Sequence, residues 1–272
     1  MHSRPMDGST RVQRTEHLAD VVTWGLRFTD AASVDHVSDA LFDGFRGKPG
    51  QLPLVVTPNV DILVTLENAE AVVRDSVDRA AIVLADGQPL VSFSHLAGGK
   101  LGAKLAGSDL TSAMWPRLAL EGRSMFAVVS SAAVGQKLDR KHPDCQWTEA
   151  PMLPAEEGSV IDTFAWSCVQ TILTSAKRPD FIFVGIGFSK DVLLARSIID
   201  QWPADQGDVP VVLAVGASLE FLTGEKKRAP KIFQLLGLEF VHRMFSEPKR
   251  MLKRYLVKDM RFLLILWRHL SS

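Results

Sequence analysis

The sequence predicts an α/β protein built on a parallel sheet with helices on both faces. Short apolar runs alternate with helical segments, and each run stops abruptly at polar or glycine residues. The clearest case covers residues 54–89, where two apolar runs flank a segment whose apolar residues recur every three or four positions. Strand, helix and strand at this spacing form a βαβ unit, whose crossover makes its strands parallel.

Bulk properties restrict the class of protein. A chain of 272 residues with 46% hydrophobic and 23% charged residues suits one large α/β domain, or one domain with an appendage. The first twenty residues lack the apolar stretch of a signal peptide, and no apolar run reaches the roughly 18 residues of a spanning helix. Two cysteines, Cys145 and Cys168, are too few for a disulfide framework or a metal site, and Cys168 lies on an apolar helix face.

Five or six strands are expected to alternate with helices after a flexible leader over residues 1–19. Strands are predicted at 21–28, 54–56, 81–85, 124–129, 181–184 and 209–215, with at most one more within 142–158. Helices are predicted at 34–45, 62–77, 89–96, 110–121, 133–141, 161–176 and 192–202. The sheet domain therefore spans residues 20–224, and residues 225–272 form a helical appendage.

Three polar side chains stand at the ends of the strands of the βαβ unit. Thr57 and Asn59 follow the first strand, and Asp86 follows the second. Because ligands of parallel α/β sheets bind beyond the carboxyl ends of the strands, these side chains are expected to lie together there. The Asp-Gly pair at residues 86–87 is either an ordinary turn or the site of a catalytic carboxylate. The polar residues Thr57 and Asn59 expected beside it favour the catalytic carboxylate.

Other residues near predicted strand ends suit an anionic ligand. Ser108 or Asp109 is predicted to cap the helix at 110–121, whose first amides suit an anion, although an ordinary cap has the same pattern. Gly185 and Gly187 permit close approach of a ligand to the backbone, but they do not complete a GxGxxG motif. Glu220 falls in a short helix or turn at the same edge.

The last 48 residues have a different character. Residues 225–272 hold 12 Lys and Arg against 4 Asp and Glu, a net charge of +8, whereas the remainder carries −8. Their apolar residues recur at helical spacing with basic residues on the other faces, which suits an anionic membrane surface. The same apolar faces can instead pack on the sheet domain, or across a homo-oligomer. A nucleic-acid surface is disfavoured because aromatic residues are sparse.

These features together resemble the WecG/TagA/CpsF glycosyltransferases, glycosyltransferase family 26, over roughly residues 35–268. The matching sequence passages are residues 57–61, 85–87, 106–110, 184–187 and, above all, 214–255. The last passage includes Glu220-Phe221-Leu222-Thr223-Gly224, Lys227-Arg228-Ala229-Pro230, Glu247-Pro248 and Arg254-Tyr255.

The resemblance implies an inverting transfer of a sugar from a UDP-sugar to a saccharide carried on a polyprenyl diphosphate, in the synthesis of bacterial exopolysaccharide, capsule or teichoic acid. It also implies a Rossmann-like core, no bound metal or other cofactor, and a C-terminal appendage docked on the membrane. The expected location is cytoplasmic, attached peripherally to the inner face of the plasma membrane. The lack of an Asp-x-Asp motif agrees with transfer without a metal.

The chemistry assigns provisional roles to these residues. Asp86 is the candidate base, because inverting transfer needs a group that takes the proton of the acceptor hydroxyl. Thr57 and Asn59 are expected to orient the sugar or acceptor, and Glu220 to hold the ribose hydroxyls. The negative charge of the leaving UDP calls for cationic side chains and helix amides. The candidates for that contact are Lys104, Gly107, Ser108, Asp109, and, for the diphosphate or membrane, Arg228, Arg243, Arg250, Arg254 and Arg261.

Several positions depart from the family pattern. Asp191, a further candidate for contact with the nucleotide sugar, stands where Gln is usual. Lys104 replaces Arg, Glu220 replaces Asp, and Ser130-Ser131 replaces Gly-Gly. These departures leave the donor sugar open. They also motivate an alternative: a catalytically reduced member that binds nucleotide or lipid and regulates a polysaccharide assembly complex.

Overall fold

The computed structural model describes residues 18–153, 158–227, 262 and 265–267. Within them lie a two-stranded antiparallel hairpin and a six-stranded parallel sheet. The hairpin strands are β1 (Ala19–Thr23) and β2 (Leu26–Asp30). The sheet strands are β3 (Leu52–Val56), β4 (Ala80–Val83), β5 (Met125–Val129), β6 (Cys145–Glu149), β7 (Phe181–Gly185) and β8 (Val211–Ala214).

Helices connect these strands. They are α1 (Val34–Phe42), α2 (Val60–Leu66), α3 (Ala71–Asp78), α4 (Gln88–Ser92), α5 (Gly107–Leu120), α6 (Ala132–Lys141), α7 (Gly158–Thr174), α8 (Lys190–Asp200) and α9 (Ser218–Thr223). Short 3-10 turns occupy Ser94–Ala97 and Ala204–Gln206. The alternation of strand and helix confirms the predicted α/β class.

The sheet has the order β4-β3-β8-β7-β5-β6, and all of its strands are parallel. After β3 the chain enters α2, whose Leu63 and Leu66 pack on one face of the sheet, and after β8 it enters α9, whose Leu219 packs on the other face. Strands β3 and β8 therefore flank a point from which the chain leaves the sheet toward opposite faces. In open α/β sheets such a point leaves a crevice beyond the carboxyl ends of the strands.

Two hydrophobic cores cover the two faces of the sheet. Along β3, Leu54 and Val56 belong to the core with α2, α3, α7 and α8, whereas Val55 belongs to the core with α1, α5 and α6. Strand β3 is therefore buried on both faces, which explains its continuous apolar run. Cys168 is buried in the first core, as predicted, and burial raises the pKa of its thiol to about 12.

Three predicted elements were wrong in detail. The single helix at 89–96 is α4 followed by the 3-10 turn at Ser94–Ala97. The single strand at 21–28 is a hairpin, because Trp24 and Gly25 both adopt positive φ, +57° and +66°, which is the tight turn that joins twisted strands. The single helix at 62–77 is two helices, since α2 ends at Leu66 and α3 begins at Ala71. The helical spacing continues across the break because both helices pack on one core.

The hairpin holds the segment that follows Asp86. Trp24 is buried, its indole N–H donates to the carbonyl of Leu90 at 3.1 Å, and its backbone N–H donates to that of Ala97. Near the C-terminus, Phe262 places its ring 5.2 Å from that of Trp24. Most of the basic appendage lies outside the described residues. Among those described, no helix is both long and apolar enough to cross a membrane.

Candidate functional site

The candidate base, Asp86, lies beside the end of the neighbouring strand. It follows β4 by three residues, and its backbone N–H donates to the carbonyl of Pro58 at 2.8 Å. Pro58 in turn follows β3, so this bond joins the two strand ends. Asp86 is half-buried, which suits a group that contacts both solvent and substrate. The fold therefore places Thr57, Asn59 and Asp86 together at one sheet edge, as predicted.

A close contact joins Asp86 and Thr57 to the start of α5. The N–H of Gly107, the first residue of α5, donates to Asp86 Oδ2 at 3.4 Å. A side chain at Gly107 would place its Cβ 2.6 Å from Thr57 Oγ1, so only glycine fits here. We call Asp86, Thr57 and Gly107 the Asp86 corner. Its carboxylate faces the N-terminus of a 14-residue helix, where the helix dipole attracts negative charge.

The helix cap predicted at Ser108 or Asp109 was wrong. Helix α5 begins at Gly107, its N-cap is Ala106, and no side chain caps it. The helix starts earlier because the N–H of Leu105 donates to the carbonyl of Ala85 at 3.0 Å, which holds the preceding segment beside β4. Lys104, half-buried, precedes that anchor. Ser108 and Asp109 are half-buried in the first turn of α5.

Asn59 has a structural role in addition to any contact with a substrate. It is the N-cap of α2, and its Oδ1 accepts the N–H of Ile62 at 3.1 Å. The cap fixes the side-chain rotation, so that the amide nitrogen is the group of Asn59 that remains for another partner. Contact of Asn59 and Thr57 with a sugar stays a prediction.

A cavity of about 140 Å³ lies beyond the carboxyl ends of β3 and β8, where the chain leaves these two strands toward opposite faces of the sheet. Among the predicted residues, Thr57, Asn59, Asp86 and Asp191 line it. The prediction omitted its other walls, namely Ile62, Phe188 and the loop at residues 215–218 with Phe221. These residues were omitted because their side chains carry no distinctive chemistry. The position of Phe188 after β7, and of residues 215–218 after β8, was nevertheless a usable signal.

Asp191 is 3% exposed, in the first turn of α8. Its two carboxylate oxygens accept backbone N–H groups from Val192, at 2.8 Å, and from Gly216, at 3.2 Å. Burial raises the pKa of this carboxyl to about 7, and the bonds from the amides offset part of that effect. Asp191 thus occupies the wall of the cavity, with a proton affinity far above that of an exposed aspartate.

Glu220 lies at a different corner of the same edge. Ser130, which follows β5, donates its hydroxyl to Glu220 Oε1 at 2.8 Å, and Lys226 forms an ion pair with Oε2. We call Ser130, Glu220 and Lys226 the Glu220 corner. Glu220 does not line the 140 Å³ cavity. Two positions that depart from the family pattern, 130 and 220, thus contact each other, and a role of Glu220 in ribose binding stays a prediction.

The two glycines after β7 differ in their surroundings. A Cβ at Gly185 would lie 2.8 Å from Leu219 Cδ1, so its lack of a side chain allows α9 to pack on the strand. Gly187 has φ +95° and open space around its Cα. Only Gly187 therefore leaves room for a ligand at the backbone. The predicted contacts of Arg228, Arg243, Arg250, Arg254 and Arg261 lie outside the described residues.

A larger groove does not share this chemistry. About 550 Å³ of open space lies between α7 and α8, lined by Asp162, Trp166, Ser197 and neighbouring residues. Ser197 donates to Asp162 Oδ1 at 2.6 Å, so these polar groups pair with each other across the helix contact. We assign the site to the smaller cavity because it contains the strand-end residues. Among the described residues, no group of three or more His, Cys, Asp or Glu is arranged to hold a metal ion.

Comparison with known proteins identifies relatives over nearly the whole chain. The sequence model of the glycosyl transferase WecG/TagA/CpsF family matches residues 22–272. An N-acetylglucosaminyldiphosphoundecaprenol N-acetyl-beta-D-mannosaminyltransferase of Staphylococcus aureus (strain MRSA252) is 27% identical over 246 residues, covering 88% of this chain and 89% of the relative. Proteins of the same name from strains MW2 and NCTC 8325 / PS 47 are 26% identical with the same coverage.

Proposed function

This chain belongs to the WecG/TagA/CpsF family of glycosyltransferases, and from that membership we propose its reaction. It transfers a sugar from a UDP-sugar, with inversion, to a saccharide carried on a polyprenyl diphosphate, in the synthesis of a bacterial surface polysaccharide. The observation that carries the proposal is the Asp86 corner, where a half-buried carboxylate meets Thr57 and a helix start beside a cavity. The names of the relatives support a lipid-linked diphosphate saccharide as acceptor.

In this reaction Asp86 acts as the general base. Its carboxylate takes the proton of the acceptor hydroxyl while the hydroxyl oxygen bonds to the anomeric carbon of the donor. The bond from that carbon to the diphosphate oxygen breaks, and UDP leaves with the electron pair. The position of Asp86 at the start of α5 supports this role, because the N–H of Gly107 holds the carboxylate beside the cavity.

The developing charge on UDP needs positive groups near the cavity. Lys104 and the first amides of α5 are the described candidates, and the arginines of the basic appendage are further candidates. Such groups can stabilise a diphosphate without a metal, which agrees with the lack of an Asp-x-Asp motif. We propose that no metal takes part, and addition of a chelator to the transfer assay tests this point directly.

The acceptor chemistry suggests where the protein works. A polyprenyl diphosphate stays in the bilayer, so the enzyme must reach the membrane surface from the side where UDP-sugars are made, the cytoplasmic face. The net charge of +8 on residues 225–272 supports peripheral binding to anionic lipid there. Loss of binding to anionic vesicles on removal of residues 249–272 is the expected result, and unchanged binding would exclude that part of the appendage.

The decisive first experiment is a panel of nucleotide sugars tested by thermal stabilisation and then by transfer. UDP and one UDP-sugar should raise the melting temperature, whereas GDP and CMP should not, because only a ligand of the folded state stabilises it. The stabilising donor is next incubated with a polyprenyl-diphosphate-linked monosaccharide. Transfer supports the proposal. Tight binding without transfer on any such acceptor would contradict it and support a regulatory nucleotide-binding protein.

A further inference from the structure

Asp191 joins two separate segments behind the cavity. One oxygen accepts the N–H of Val192, at the start of α8, and the other accepts the N–H of Gly216, in the loop after β8. Gly216 has φ +53°, a left-handed conformation that non-glycine residues rarely adopt. The carboxylate therefore connects a helix end to an unusual turn, and residues 215–218 of that turn line the cavity with Asp86.

This arrangement is costly to the folded protein. The carboxyl group is buried, and burial is the main cause of its raised pKa of about 7; among the described residues, no cation contributes to that value. Among the described residues that line the cavity, Asp86 is the other titratable group, and Lys190 precedes Asp191 on the helix. A neutral side chain of the same shape would avoid the cost of ionisation. A buried carboxylate at a cavity wall is the pattern expected of a functional residue.

We propose that Asp191 is a positioning residue, whose carboxylate holds the loop at 215–218 against α8 and thereby fixes the cavity in which Asp86 acts. The role rests on the proposed transfer reaction. It differs from direct contact with the nucleotide sugar, which the sequence suggested, because both oxygens of Asp191 are already bonded to backbone amides. Asp191 acts on the substrate through the loop.

Protonation has two opposite consequences. Because the folded-state pKa lies above the ordinary value of 3.8, the folded state keeps this proton when the unfolded state has lost it. The stability from this group is therefore fully present below about pH 4 and is lost as the pH rises through about 7. The ionised carboxylate, in contrast, accepts both amides more strongly, because hydrogen bonds to a charged acceptor are stronger. The loop is thus held best above about pH 7, where this group no longer contributes to the stability of the protein.

The first test follows the amides of Val192 and Gly216 by NMR from about pH 5 to about pH 9, a range that brackets the pKa. In the wild-type protein both signals should titrate together with a midpoint near 7. Asp191→Asn should abolish that titration, since the amide side chain does not ionise. Ser197→Ala is the matched control on the same helix: Ser197 is also buried, and its replacement removes the hydrogen bonds to Asp162 and from Gln201, but it does not line the cavity. In Ser197→Ala both amide signals should titrate as they do in the wild type.

The second test measures transfer. Asp191→Asn should raise the KM for the donor about 10-fold, the scale of one hydrogen bond to a charged group. The wild type should become more active between about pH 6 and about pH 8, as Asp191 ionises, and Asp191→Asn should lack this rise. Ser197→Ala should keep the wild-type KM and pH profile. Circular dichroism confirms that both variants are folded.

The two readouts separate this inference from the proposed reaction. Wild-type amides that do not titrate, or a titration that persists in Asp191→Asn, would overturn the positioning role whatever the activity. An unchanged KM and pH profile in Asp191→Asn would overturn it too. If no donor supports transfer by the wild type, the proposed reaction fails, while the NMR titration still decides whether Asp191 holds the loop.

Discussion

The Asp86 corner and the Glu220 corner place a carboxylate at the same edge of one sheet, in different surroundings. Asp86 lines the cavity with Thr57 and accepts a helix amide at 3.4 Å. Glu220 lies away from that cavity and is bonded to Ser130 and Lys226. The comparison shows that residue type and sheet edge do not define a catalytic carboxylate. The neighbours decide whether it can reach a substrate or instead ties the protein together.

The two corners also differ in how closely they follow the family pattern. Positions 57, 86 and 107 carry the residues of the matching passages, whereas positions 130 and 220 both depart from them. Because Ser130 donates directly to Glu220, the two departures form one contact. The Asp86 corner therefore matches the family pattern, whereas departures occur at the Glu220 corner and also at Lys104 and Asp191.

The largest expected effect comes from Asp86→Asn. Loss of the base should lower transfer by about 10²- to 10⁴-fold. The melting temperature and UDP binding should change little, because asparagine keeps an oxygen for the N–H of Gly107. Glu220→Gln is the matched control and should lower transfer by less than about 10-fold, the scale of one ordinary hydrogen bond. Equal losses in the two variants would remove the distinction between the corners.

An intermediate effect is expected from Gly107→Ala. The added Cβ would lie 2.6 Å from Thr57 Oγ1, so either α5 or Thr57 must move. Overpacking of this kind should cost about 1–3 kcal/mol of unfolding free energy and lower transfer as Asp86 shifts. Denaturant unfolding measures the loss.

The double variant Thr57→Ala/Gly107→Ala sharpens that test. Removing the threonine hydroxyl and methyl makes room for the new Cβ, so part of the lost stability should return, although transfer should stay low without Thr57. If the double variant loses the sum of the unfolding free energies lost by Thr57→Ala and Gly107→Ala, the close contact between these two residues does not limit the site.

The smallest effect is expected at the Glu220 corner. Ser130→Gly removes one hydrogen bond to a carboxylate that keeps its ion pair with Lys226, so unfolding free energy should fall by about 1 kcal/mol. Ser131→Gly is the control, because Ser131 makes no side-chain cap bond. Transfer should change only a few-fold in Ser130→Gly. A loss as large as that of Asp86→Asn would place this corner in the reacting centre.

Sequence patterns predicted the sheet well and the local turns less well. Five strands of the parallel sheet were predicted because burial on both faces requires continuous apolar runs such as Val211–Ala214. Strand β6 was predicted only as at most one strand within 142–158, because its residues are mostly polar and half-buried. The hairpin was missed because Trp24 takes a backbone conformation that asparagine or glycine usually signals. The start of α5 was missed because a backbone bond from Leu105 to Ala85, and not a capping side chain, decides where the helix begins.

The candidate site divides in the same way. Thr57, Asn59 and Asp86 could be grouped from sequence because parallel strands deliver their carboxyl ends to one edge. The amide partners of Asp191 could not, since Gly216 is 25 residues away and its contact depends on how the loop after β8 turns. The pairing of Ser130 with Glu220, 90 residues apart, depends likewise on the packing of α9.

The sequence by itself determined the α/β class, the parallel strands, the family and the polar residues at the strand ends. Period and composition are local properties of the chain, and they set which faces must be buried. Only the tertiary structure decided which carboxylate faces the cavity, which is bonded to Lys226 and which joins two amides behind the wall. Those outcomes depend on distances of a few ångströms between residues far apart in the chain, and packing of the whole sheet fixes such distances.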